Sequence, residues 1–282
     1  MANIGKFNSL LVQRKVDFGF YLDGGPEGEI LIPLRYAPES CKIGDKIDVF
    51  IYFDSEDRII ATTETPIAIV GEFAYLQAVA VNSIGAFLDW GLPKDLLVPF
   101  REQKQPMEEG KSYIVFIYID AETNRIAASA KLGQFLNHEP VNYLPGDEVD
   151  LMIIGESDLG YKAVINNRHE GIFYKNEVFK PLKKGQKLKA YIRKIREDGK
   201  IDLRLYKDGY EKVDELSQSI LEILRIHDGF IEITDKSPTE EIYRIFGISK
   251  KTFKMAVGAL YKKRLILRGL EGISLIEPNK EI

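Results

Sequence analysis

One cysteine, Cys41, stands in 282 residues. No disulfide can close within the chain, and a reducing compartment, the cytoplasm, is the expected home. Histidine is scarce too: His138, His169 and His227 lie far apart with no second cysteine beside them, which leaves no ligand set for a structural zinc. Long apolar runs are missing. Ile114 to Ile119 is typical of the longest, against the roughly 20 residues a bilayer span requires. The first twenty residues scatter Lys6, Arg14, Lys15 and Asp17 among polar positions and contain no apolar signal core, so no membrane partner is expected. Signatures of catalysis are absent as well: there is no G-x-x-x-x-G-K-S/T, H-E-x-x-H or G-x-S-x-G. GGPEG at 24–28 reads as a hairpin turn, and Asp54, Asp57, Asp120 and Glu122 read as solvated hairpin acids. The expectation is a protein that binds rather than catalyses, without metal or other cofactor.

What is present suits a folded chain: 45% apolar and 29% charged residues. The net charge of −4 hides an asymmetry. Residues 1–65 carry 7 basic and 11 acidic side chains, whereas Lys175 to Arg204 carries 11 basic and 4 acidic, and Lys250 to Arg268 carries 7 basic and none acidic. Attraction to a polyanion follows the local field rather than the mean. The second half is where phosphate contacts are expected.

The chain repeats itself. FGFYLD (18–23), IGAFLD (84–89) and LGYKAV (159–164) are each followed by a second short segment: GEILIP (28–33), KDLLVP (94–99) and EGIFYK (170–175). A longer one comes next, from 42, 108 and 183. Gly19 to Gly85 and Gly44 to Gly110 are both 66 residues apart; Gly85 to Gly160 and Gly110 to Gly185 are both 75 apart. Two landmarks moving in step twice mark three copies of one unit. Each copy reads as about five short strands, turning at Gly19, Gly85 or Gly160, where a backbone without a Cβ can bend or take positive φ. Ile47, Val49 and Ile51, or Leu188, Ala190 and Ile192, form the inward face of the longest strand. Five twisted strands in some 60 residues, apolar on one face, close into a small barrel. Copies are assigned to residues 1–65, 66–131 and 145–206. The joining segment 132–145 is apolar enough to pack rather than hang as a tether.

The order of these segments resembles the S-one RNA-binding domain of ribosomal small-subunit protein one, a five-stranded OB barrel. The resemblance implies that nucleic acid lies over aromatics near the second strand, beside a polar or basic pair on the last hairpin. The matching positions are Phe18, Tyr21, Asp54 and Arg58 in copy one, and Ile84, Phe87, Asp120 and Arg125 in copy two. Copy three offers Leu159, Lys162 and Lys200, with Tyr174 where the family often has histidine and Ile32 and Val98 where copies one and two depart from it. Its aspartate position falls on Ile195 or Arg196. An exposed ring recovers about 1–3 kcal/mol per stacked base, and cations beside it release counterions from phosphate. The same rings could instead pack against a neighbouring barrel, the expectation for Phe50, Tyr52, Phe116 and Tyr118. In copy three the outer face of the long strand reads Lys187, Lys189, Tyr191 and Arg193, either a phosphate track or a solvated basic strand.

Beyond Asp208 helical spacing takes over. Leu216, Ile220, Ile223 and Leu224 recur at three- and four-residue steps up to Gly229; Ser237 with Pro238 and Glu240 reads as a capped helix start; Ser249 caps a third helix running to about Lys263. A hairpin turning at Gly269 to Gly272 completes a winged helix-turn-helix, assigned to 210–278. Its third helix presents Lys250, Lys251, Lys254, Lys262 and Lys263 to a nucleic acid, although the last lysines could equally serve the helix dipole.

The fold class expected is thus multidomain and mainly β: three tandem five-stranded OB barrels plus a C-terminal α/β winged helix-turn-helix. That arrangement resembles the conserved virulence factor B family of bacteria. The resemblance implies an RNA-binding, post-transcriptional regulator with single-stranded RNA as partner, alongside other proteins of RNA metabolism. Alternatives are a transcription regulator that binds DNA through the winged helix, and a nuclease accessory protein.

Overall fold

Every barrel begins with a strand that reverses within two or three residues and lays the next strand hard against the one after it. A computed structural model describes residues 2–137, 142–175, 178, 181–205 and 210–276; Asp208 lies outside them. In the first barrel β1 (Phe7–Val16), β2 (Gly19–Asp23), β3 (Glu29–Pro33), β4 (Lys46–Phe53) and β5 (Ile59–Thr62) close in the order β1-β2-β3-β5-β4. The second comprises β6 (Phe73–Val81), β7 (Gly85–Asp89), β8 (Leu96–Pro99), β9 (Ser112–Ile119) and β10 (Ile126–Ser129), ordered β10-β9-β6-β7-β8, with β8 and β10 lying alongside each other. The third, β11 (Glu148–Glu156), β12 (Gly160–Ile165), β13 (His169–Tyr174), β14 (Lys187–Ile195) and β15 (Ile201–Arg204), is closed.

The repeated glycines have two different jobs. A Cβ at Gly19, Gly85 or Gly160 would run into the carbonyl oxygen of Ile32, Val98 or Phe173. Close approach to the neighbouring strand, not positive φ, is what Gly19 and Gly85 supply. Gly44, Gly110 and Gly185, at φ of 92°, 79° and 82°, do take the left-handed turn ahead of the long strand. The first strand of each barrel also carries the same bulge, between Val12 and Arg14, Ala78 and Ala80, and Ile153 and Gly155. An added residue there sharpens the twist that closure needs.

Alternation fills the interiors. Leu22, Ile30, Ile32, Val49 and Ile51 are sealed in barrel one, and Ala163, Ile165, Phe173, Ala190 and Ile192 in barrel three. Each large side chain so buried contributes about 1.5–3 kcal/mol.

Two compact units divide the chain, one holding the first two barrels, the other the third barrel and the C-terminal domain. Within the first unit the outward face of β4 is covered. Phe50 and Tyr52 join Trp90, Leu76 and Leu96 in one cluster, with Phe50 edge-on to Trp90 at 5.8 Å between ring centroids. Burial pushes the Tyr52 phenol upward. On β9 the equivalent Phe116 stacks against Phe135 at 4.3 Å and Tyr118 meets the same ring at 5.3 Å; burial there pushes the Tyr118 phenol up to about 12. Phe135 ends the short 3-10 turn Leu132–Phe135, so the start of the joining segment packs as expected, while 138–141 lie outside the described residues.

The C-terminal domain comprises α1 (Tyr210–Ile226), β16 (Phe230–Ile231), α2 (Thr239–Phe246), α3 (Lys250–Lys262), β17 (Ile266–Arg268) and β18 (Ile273–Leu275), the strands ordered β16-β18-β17. Leu216, Ile220, Leu224, Ile242, Phe253, Val257 and Leu260 form its core with Ile266 and Ile273. Ser249 caps α3 by accepting from the Thr252 N–H. At α2 the expected cap is corrected: Pro238 is the N-cap residue and Thr239 the first helical one. The Ser237 hydroxyl instead accepts from the Thr234 N–H at 3.0 Å, closing the preceding turn.

Phe50→Ala should destabilise the first unit by about 3–5 kcal/mol, since it empties a sealed aromatic site. Phe18→Ala should cost under about 0.5 kcal/mol. Urea unfolding followed by Trp90 emission distinguishes the two.

Candidate nucleic-acid interface

The hairpin joining the first two strands of each barrel carries a large apolar side chain into solvent. Phe18, Ile84 and Leu159 occupy that place and are 58%, 55% and 63% exposed. Just beyond, on the outward face of the second strand, come Tyr21, Phe87 and Lys162, opposite Arg14, Ala80 and Gly155 across the bulge. The partner decides what the ring can do. Arg14 lays its guanidinium 3.8 Å from the Tyr21 centroid and is held there by Glu29, through hydrogen bonds of 2.8 and 2.7 Å. Phe87 lies between Ala80 and Leu97 and is partly buried, with no ring or cation stacked on it among the described residues.

Phe87 lines a cleft of about 860 Å³ in the first unit, together with Ile84, Phe100, Arg101 and Arg125 of barrel two and Phe53 and Asp57 of barrel one. Phe87 and Arg125 both line this cleft. Arg125 pairs with Asp57 at 2.7 Å, and Lys94 reaches the same carboxylate at 2.8 Å. Both cations, with the hydrogen bond from Lys94, hold the Asp57 carboxyl below its ordinary range. Asp57 is therefore an inter-barrel anchor rather than a solvated turn acid. Asp120 accepts the N–H groups of Glu122 and Thr123 and pairs with Arg101 at 2.7 Å. In barrel one Arg58 is engaged by Asp54 at 2.7 Å and Glu56 at 2.8 Å.

Barrel three differs. Its last hairpin is closed by the Arg196 N–H donating to the Lys200 carbonyl, as the Asp54 N–H donates to Arg58 in barrel one, so Arg196 takes the aspartate position. Phe173, whose carbonyl crowds Gly160, aligns with Ile32 and Val98. Tyr174 consequently stands one place further along than the sequence comparison put it, level with Pro33 and Pro99, because the contacting carbonyl lies 13 residues after the glycine in all three barrels. It still joins the hairpin: the Arg196 guanidinium hydrogen-bonds the Tyr174 hydroxyl and pairs with Asp202 at 2.7 Å. Lys162 pairs with Glu170 at 2.8 Å and Lys200 with Asp198 at 2.9 Å.

On the outward face of β14, Lys189 and Tyr191 both reach Glu148, at 2.8 and 3.1 Å. Lys187 is exposed and makes no ion pair among the described residues. Arg193 is exposed at a bulge between Ile192 and Lys194. In the C-terminal domain the Lys250 ammonium donates to the carbonyls of Lys236 and Ser237 at 3.1 and 2.8 Å; it ties α3 to the turn before α2. Lys251, Lys254 and Lys262 are exposed without an ion pair among the described residues, and Lys263 is exposed at the end of α3. A Cβ at Gly258 would meet nothing, so this face is open. Tyr261 is exposed, with Arg268 6.0 Å from its ring.

Sequence reasoning missed Arg14, Lys94, Arg101 and Phe100. The three cations depend on partners 15 to 40 residues away, and periodicity carries no such signal. Among the described residues no group of three or more His, Cys, Asp and Glu side chains is placed to hold a metal ion, and no helix is long and apolar enough to cross a membrane.

Comparison with known proteins agrees with the architecture. The S1 domain profile matches residues 4–64 and again 70–131, and that of the CvfB-like winged helix domain matches 218–275. The uncharacterized protein YitL of Bacillus subtilis is 28% identical over 92% of this chain and 89% of its own length. Conserved virulence factor B of Staphylococcus saprophyticus is 26% identical over 86% of this chain and 84% of its own. A crystal structure of a multidomain protein with nucleic acid binding domains from Streptococcus pneumoniae aligns with 97% of this chain and 98% of that one, at 23% identity and a TM-score of 0.43. The chain thus carries S1 domains at its start and a CvfB-like winged helix domain at its end, and is similar along most of its length to relatives named conserved virulence factor B.

Proposed function

We propose that the protein binds single-stranded RNA and regulates gene expression after transcription, in the bacterial cytoplasm and in company with other proteins of RNA metabolism. It acts by binding, not by catalysis. The observation that carries this reading is the cleft lined by the partly buried ring of Phe87, by Ile84 and Phe100, and by Arg101 and Arg125. A base stacked there would escape water on both faces, and the guanidinium groups lie where a backbone phosphate would follow. Phe18, Tyr21 and Arg58 of barrel one offer a second, shallower platform. Tyr174, Lys162 and Lys200 of barrel three, and separately Lys187, Lys189, Tyr191 and Arg193 on β14, are the further candidates. Most of these cations are paired on the surface, where an ion pair is worth only about 0–1 kcal/mol, so phosphate can compete for them.

A second reading concerns the winged helix alone. Lys251, Lys254 and Lys262 stand on one helix that contains no acid, and such a face can enter the major groove of duplex DNA.

With the full-length protein, filter binding should show oligouridylate retained in preference to duplex DNA. The log–log salt slope should be about −0.7 per phosphate contacted. Phe87→Ala should weaken RNA binding by about 1–3 kcal/mol; an unchanged affinity removes the cleft from the interface. Joint replacement of Lys251, Lys254 and Lys262 by Ala should lower duplex affinity far more than RNA affinity. Equal losses on both would dismiss the separate DNA-binding reading.

A further inference from the structure

Asp57 sits near the tip of the β4–β5 hairpin in the left-handed conformation, at φ 62°. This hairpin belongs to barrel one, yet the carboxylate is spent on barrel two: one oxygen accepts from Lys94 at 2.8 Å, the other pairs with Arg125 at 2.7 Å. A single anion thus bridges two cations, one oxygen to each. The two non-bridging oxygens of a phosphodiester offer the same pattern, with Arg and Lys as its ordinary partners.

Three features distinguish this acid from Asp54 and Asp120. Asp120 accepts N–H groups of its own turn, and Asp54 likewise accepts from Glu56 and Arg58; neither can leave without stranding backbone donors. The Asp57 carboxylate has no hydrogen bond to its own hairpin among the described residues. It is 40% exposed, so water can receive it when it lets go. The Lys94 ammonium meanwhile keeps a second anchor on the Asp54 carbonyl, at 2.7 Å, and stays in place once the acid has moved.

We propose that Lys94 and Arg125 form a phosphodiester subsite of the cleft, held shut in the free protein by Asp57, which a backbone phosphate of single-stranded nucleic acid displaces. This rests on the reading of the cleft as a nucleic-acid site and adds to it a built-in competitor. Asp57 keeps two cations satisfied while no polymer is bound, and it lowers the yield of every weak encounter. The same exchange would release barrel one's hairpin from barrel two, coupling binding to the clamp between them.

The chain contains its own reporter. Trp90 is the sole tryptophan; its indole N–H donates to the Lys94 carbonyl at 2.7 Å, and its ring lines the cleft. Oligouridylate should therefore alter Trp90 emission in the full-length protein. Asp57→Asn should tighten oligouridylate binding about three- to tenfold at low salt, the scale of two surface ion pairs removed from competition. Glu39→Gln, which removes an exposed acid outside the cleft, should leave affinity unchanged, and Lys94→Ala with Arg125→Ala should erase the gain from Asp57→Asn. Asp57→Ala, should it behave as Asp57→Asn does, excludes an effect of the new amide. Retained oligouridylate binding with no gain from either Asp57 variant, or an equal gain from Glu39→Gln, overturns the subsite and spares the wider reading. Failure of every variant and the parent to hold oligouridylate overturns both.

Discussion

Phe50 points out of its own barrel and into the next one. A small barrel closed by alternating strands leaves its outward residues for water, and an aromatic pair there is a liability unless something covers it. Barrel two covers Phe50 and Tyr52 with Trp90 and its neighbours, and Phe135 covers Phe116 and Tyr118. The outward face of the long strand is thereby a packing surface in both barrels of the first unit. The outward face of the second strand and its hairpin stays outside that packing, and the proposed interface is placed there for that reason.

Charge is organised by the same placement. With Phe50 sealed against Trp90, the hairpin of barrel one is brought beside Lys94 and Arg125, and an acid that could have been solvated becomes an anchor. Around the remaining rings most cations are held by a nearby carboxylate. Such pairs at the surface cost little to open and keep the resting protein from attracting polyanions indiscriminately, in keeping with a net charge of −4. Helix α3 is built the other way, with lysines and no acids, so the two kinds of module present different fields to a nucleic acid.

Two of the sequence readings moved by a single residue, and the cause is local in each. Tyr174 shifted because the carbonyl contact falls 13 residues after the glycine in every barrel, which sets Phe173 rather than Tyr174 level with Ile32 and Val98. The α2 cap shifted from Ser237 to Pro238 because the serine hydroxyl closes its own turn with Thr234. The reason given for Gly19 and Gly85 also changed: they are small because a neighbouring carbonyl needs the space, and a conformational preference could not have revealed that. Lys250, one of the α3 lysines read as facing nucleic acid, spends its ammonium on two carbonyls, which no count of charges could separate from Lys251 or Lys254.

The number of barrels, the five short strands of each, the inward face of the long strand and the helices of the last domain were written in periodicity, glycine spacing and turn residues. These are short-range signals, set by sterics within a few residues. Which rings stay uncovered, and which acid meets which cation, was decided by tertiary structure alone. Asp57 and Lys94 are 37 residues apart and Asp57 and Arg125 are 68 apart. Ion pairs at such separations form only after two barrels have locked together through buried aromatics, and nothing in the local pattern of either segment encodes the other.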